Sequence, residues 1–138
     1  MRLQRSQRGD VFAETAFTLP VVLLVTLGLI QGGLLAYAAS AASQAARHGA
    51  RMGSVAQGGL GAAVAVSEAY QTARQLFPMD GAPQVELLSP GGAPGTEITV
   101  RVTVRAPNVL SPLSALFPVL PRGAFPVQAS ATFRQEGW

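Results

Sequence analysis

Charged and apolar positions are distributed unevenly along this chain. The first nine residues, Met-Arg-Leu-Gln-Arg-Ser-Gln-Arg-Gly, are polar and basic. Asp10 and Glu14 follow, and the next charged residue is Arg47. Between them the most apolar part covers residues 16–39. As a helix at about 1.5 Å per residue this part spans roughly 36 Å, and a bilayer core is about 30 Å thick. The pattern predicts a membrane-crossing helix with some tilt. It continues into Ser-Ala-Ala-Ser-Gln-Ala-Ala-Arg-His-Gly-Ala-Arg-Met-Gly-Ser-Val, which is rich in helix-forming Ala but polar enough to leave lipid. Gly58, Gly59 and Gly61 are expected to end it.

A second, shorter helix is predicted over residues 62–77. Val66, Tyr70, Ala73 and Phe77 fall on one face of a 3.6-residue period, with Glu68, Gln71, Thr72 and Gln75 mostly opposite. Pro78 terminates it. The last third changes period to two. In Thr-Glu-Ile-Thr-Val-Arg-Val-Thr-Val-Arg-Ala, residues 96–106, Ile98, Val100, Val102, Val104 and Ala106 alternate with polar positions, as a half-buried strand requires. Residues 84–88 form a shorter candidate strand, joined to it by the Gly- and Pro-rich hairpin loop 89–95. Val127, Ala129, Ala131 and Phe133 alternate in a third. The intervening loop, residues 107–126, carries Leu110, Leu113, Leu116, Phe117, Val119, Leu120 and Phe125. So apolar a loop is expected to fold back over the sheet; an exposed docking surface is the alternative. The expected fold class is α+β: a long N-terminal transmembrane helix, a short amphipathic helix and a small three-stranded antiparallel sheet. The expected parts are a leader (1–9), the transmembrane and extended helix (10–57) and an extracytoplasmic α+β domain (58–138).

Composition sharpens this. Charged residues make up 12% and hydrophobic residues 49% of the chain, against about 25% charged in an ordinary soluble domain. The net charge of +3 is supplied by Arg2, Arg5 and Arg8, and the remainder is neutral. No basic patch with interleaved aromatics is left to bind nucleic acid. Basic residues before the apolar span place the N-terminus in the cytoplasm and the C-terminal domain outside the cytoplasmic membrane. There is no Cys, so no disulfide framework and no thiolate metal site. The single His, His48, has no acid or Cys beside it in sequence, and Asp80, Glu86, Glu97 and Glu136 are dispersed. No catalytic set, metal site or cofactor motif is found, and an enzyme is not expected.

Other features concern helix packing. Pro20 lies inside the span, where it removes a backbone hydrogen bond and is expected to kink or loosen the helix. Gly28, Gly32, Ala36 and Ser40 recur every fourth residue, a small-residue stripe that lets a partner helix approach closely. Arg47 and Arg51 share a face beyond the span and are expected at the membrane interface, with their stems along lipid.

Gly9 is followed by four residues and then Glu14 at the edge of the apolar run. This spacing resembles the processing site of type IV pilin-like precursors. Glu14-Thr-Ala-Phe-Thr-Leu-Pro20, then an apolar span, then Ala45-Ala-Arg-His-Gly-Ala-Arg51 is similar to the TadE family of Tad/Flp pilus proteins. The chain end, from Ala129 to Glu136, resembles that family's last strand. The resemblance implies cleavage by a prepilin peptidase between Gly9 and Asp10. Glu14 would then be the fifth residue, able to pair with its own new amine or a neighbour's and so set axial register in a bundle. It also implies partners among other pilin-like subunits and pilus assembly platform proteins, besides membrane lipid. Thr15 stands where many Flp-type pilins carry an aromatic residue, and the domain after the helix is large. Both features favour a minor pilin or pseudopilin over the filament-forming subunit. The alternative is a secreted or single-pass membrane-anchored binding or structural protein. Ala36-Tyr-Ala38 satisfies the small-x-small rule for signal peptidase, although the apolar run exceeds the usual 7–15 residues.

Overall fold

The computed structural model describes residues 4–57, 59–79, 81–115 and 117–136, with side chains from Val11 onward. Arg2, Gly58, Asp80 and Leu116, and the side chains of Arg5, Arg8 and Asp10, lie outside that description. So does the expected cleavage junction, apart from its helical backbone.

The fold is α+β, with one helix much longer than any other element. Helix α1 (Gln4–Val55) runs for 52 residues, or roughly 78 Å at the usual rise. It is the one described helix long and apolar enough to cross a membrane. Helix α2 (Gly61–Leu76) turns back against its C-terminal end. Strands β1 (Gln84–Pro90), β2 (Glu97–Ala106) and β3 (Phe125–Arg134) form an antiparallel sheet in the order β1-β2-β3, with a short 3-10 turn at Ser111–Ala115 between the last two. Strand β1 is longer than expected and carries an irregularity between Leu87 and Ser89.

The period-two pattern of β2 has its predicted result. Ile98, Val100, Val102, Val104 and Ala106 are buried against the helices. Full burial of such side chains stabilises by about 1.5–3 kcal/mol each. The outer face stays polar: Thr99 and Thr132 hydroxyls pair at 2.8 Å, and Arg101 meets Glu86 at 3.3 Å. Strand β3 adds Phe125, Val127, Ala129 and Ala131 to the same core. At the far end the backbone N–H of Glu136 donates to the Ser54 carbonyl at 3.1 Å. The sheet therefore runs alongside the C-terminal half of α1.

The face of α2 agrees only in part with the one its pattern predicts: Ala73 and Phe77 are buried as expected, but Val66 and Tyr70 are not. Gly61, Ala65, Ala69 and Ala73 are buried with Phe77, whereas Val66 and Tyr70 are only half-buried. The cause is close helix approach. A Cβ on Gly49 would lie 2.5 Å from the Ala65 carbonyl oxygen, and one on Gly53 would lie 2.6 Å from Ala65 Cβ. Only small residues fit this crossing, so α2 turns its alanines inward and leaves its larger apolar side chains at the margin.

Candidate functional site

The core is lined along α1 by Ala38, Ala41, Ala42, Ala45, Ala46 and Ala50. Packing begins at Gln31. Its side chain is 5% exposed, and its amide donates to the Pro107 carbonyl at 3.2 Å. Its Oε1 accepts from the Val109 backbone N–H at 2.9 Å. Polar in an otherwise apolar run, Gln31 is thus satisfied by the loop and not by a partner helix. Just above it, Tyr37 donates to the Leu76 carbonyl at 2.5 Å and packs against Phe77 with ring centroids 5.5 Å apart. Helix α2 therefore ends near the level at which the sheet begins.

From Val11 to Ile30 the helix is bare apart from half-buried Leu27. Phe17, at 84% exposed, is typical of the large apolar side chains there. The segment spans roughly 30 Å, the thickness of one bilayer core. Polar groups in it are turned inward. Thr15, Thr18 and Thr26 hydroxyls donate to the carbonyls of Val11, Glu14 and Val22, each at 2.8 Å. Such back-bonding hides a hydroxyl from lipid. The helical assignment continues without interruption through Pro20.

Glu14 is exposed at the start of the bare segment. It opens an apolar furrow along one helix face, followed by Thr18, Leu19, Val22, Leu23 and Thr26. The furrow lies on a single helix and is not an enclosed cavity. Gly28 and Gly32 have nothing within 4 Å of where a Cβ would stand, and Ala36 and Ser40 are exposed. On a regular helix Gly32 lies roughly five full turns from Glu14 and so on the same face. The α1 glycines that pack within the chain are instead Gly49 and Gly53.

Arg47 and Arg51 are exposed, but they lie roughly 24 and 30 Å beyond Gln31 along the axis. The folded head, made of α2 and the sheet, flanks the helix at that height. His48 has a partner that its sequence neighbours did not reveal: Glu68 of α2, at 3.5 Å on the surface. Among the described residues no group of three His, Cys, Asp or Glu could hold a metal ion.

Sequence reasoning missed Gln31 and the Gly49/Gly53 crossing. A lone amide in an apolar run was the available signal for the first. Small residues at matching fourth positions in both helices were the signal for the second.

The residues of α1 can be compared with those of known proteins. Residues 9–51 match the family model of TadE-like proteins. The TadE-like segment thus takes in the bare span, Gln31 and the alanine face as far as Arg51. It bears out the resemblance carried by Gly9, Glu14, Pro20 and the Ala-Ala-Arg-His-Gly-Ala-Arg stretch. No curated protein and no solved structure matches the chain.

Proposed function

We propose that this chain is a pilin-like structural or assembly protein of a Tad (type IV-like) pilus, made as a precursor and cut by a prepilin peptidase after Gly9. The observation that carries the reading is the TadE-like match over a helix that is bare through about one bilayer thickness, with Glu14 near the start of that stretch. The N-terminus lies in the cytoplasm and the head outside the cytoplasmic membrane or, after assembly, in the extracellular filament. A buried carboxylate in lipid costs about 2.5–3.5 kcal/mol, so Glu14 needs the interface or a cationic partner. The amine created at Asp10 is largely protonated at neutral pH and supplies one, in the same chain or a neighbour. Pro20 loosens the helix between this end and the stripe Gly28, Gly32, Ala36 and Ser40. That stripe, left open by the head, receives the helix of another pilin-like subunit or of a platform protein. The size of the head favours a minor pilin or pseudopilin, working by packing and not by catalysis.

The secreted reading is disfavoured by the core. A cut after Ala38 would remove Gln31 and Tyr37, which fasten the loop and α2, and would place the new terminus against the buried alanine face. The test is the mature N-terminus, measured by intact mass from native cells. A start at Asp10 that is lost in Gly9→Ala supports the proposal. A start near Ala39, or normal maturation of Gly9→Ala, would overturn it.

A further inference from the structure

The loop between β2 and β3 does not cover the sheet. Phe117 is 51% and Val119 is 93% exposed, while the core draws its large side chains from the strands, α2 and Leu35. The loop is nevertheless held in place. Asn108 donates to the Pro121 carbonyl at 2.7 Å and accepts from the Leu110 N–H at 3.0 Å, drawing the two arms together. Gln31 fastens Pro107 and Val109 to α1.

Topology fixes the height of this loop. The chain leaves the sheet at Ala106 and re-enters at Phe125, directly opposite in the pairing of β2 with β3. The other end of the sheet lies at Ser54. Residues 107–115 and 117–124 therefore project from the end of the head that faces the bare span, at the level where that span stops. Their one charged residue is Arg122, which is exposed. Half-exposed Tyr37 lies roughly 9 Å further up the helix, within headgroup depth.

We propose that this loop is a second membrane contact: it rests on the surface of the bilayer that α1 crosses, with Phe117 and Val119 against lipid and Arg122 at the headgroup phosphates. The inference rests on the membrane-spanning reading of α1. The loop is fastened by Gln31 at the end of the bare span, and a cation with no acid in the loop suits an anionic headgroup layer. The contact would fix the tilt and rotation of the head over the membrane, and so the direction in which the Gly28/Gly32 face is presented.

The test uses the full chain, with Trp138→Phe, in phosphatidylcholine/phosphatidylglycerol vesicles at low protein density. Single tryptophans are placed by Val119→Trp, by Phe17→Trp in the span and by Val55→Trp at the far end, and read with lipids brominated at shallow or deep acyl positions. The expected result is blue-shifted emission for Val119→Trp, quenched most by shallow bromines. Phe17→Trp is quenched most by deep bromines, and Val55→Trp by neither. Water-like, unquenched emission from Val119→Trp beside a quenched Phe17→Trp would overturn the loop contact alone. Protection that appears only at high protein density would assign the loop to a neighbouring copy and also overturn it. An unquenched Phe17→Trp would overturn both the contact and the membrane reading beneath it. Val119 is almost fully exposed, so its replacement does not disturb the core; hydrogen exchange over residues 97–106 checks this.

Discussion

Gly28 and Gly49 belong to one continuous helix, yet their surroundings are opposite. Around Gly28 there is nothing within 4 Å of a built Cβ. At Gly49 the same atom would collide with the backbone and side chains of α2. Gln31 marks the change. Below it, α1 shows Val, Leu and Phe to its surroundings; above it, α1 shows alanines to a folded head. Apolar composition alone therefore does not say what a helix is against. Side-chain size does: large exposed residues suit lipid, and small buried ones suit close protein packing.

The comparison can be broken most severely at the crossing. Gly49→Leu forces a branched side chain into backbone, and overpacking costs about 1–3 kcal/mol or more. Hydrogen–deuterium exchange over residues 97–106, in detergent-solubilised protein, should show lost protection. Gly28→Leu, the same change in the bare half, should leave that protection intact while weakening association between copies. Equal effects of both on the head would erase the distinction.

A smaller effect is expected at the boundary itself. Gln31→Leu leaves the Val109 N–H and the Pro107 carbonyl without partners, at about 1–3 kcal/mol. Its readout is faster exchange over residues 107–115, with residues 97–106 much less affected. The smallest effect is expected on the surface of the head. Glu68→Gln removes the partner of His48, but exposed ion pairs contribute only about 0–1 kcal/mol. The thermal midpoint of the head should hardly move.

The sequence made some of this legible. The alternation from Ile98 to Ala106 named every inward residue of β2, because a sheet with one wet face writes its burial with period two. The gap between Glu14 and Arg47 located the long helix for a similar reason: lipid and core both exclude charge. That shared exclusion hid the boundary. The expected apolar span of residues 16–39 runs past Gln31, and the structure divides it there. The face of α2 was read from Val66, Tyr70, Ala73 and Phe77; Ala73 and Phe77 are indeed buried, but at the glycine-lined crossing Ala65 and Ala69 turn inward in place of Val66 and Tyr70. Gln31 meets Pro107 and Val109 across a separation in sequence that no local pattern spans. The loop's apolar content was plain, but its exposure depended on that contact. Of the candidate site, Gly9, Glu14 and Pro20 were read from motif spacing; their geometry in an assembly belongs to contacts with other chains.

The division of α1 can be tested with single cysteines, because the chain has none of its own. Exposed positions Phe17, Val25 and Leu29 in the bare half, and Arg51 and Val55 in the head-bound half, are each replaced by Cys in membranes of intact cells. A membrane-impermeant maleimide is then added from outside. The account predicts labelling at 51 and 55 and protection at 17, 25 and 29. Labelling at 17–29 under the same conditions, or protection at 51 and 55, would contradict a helix that crosses the membrane as far as Gln31 and carries its head beyond it.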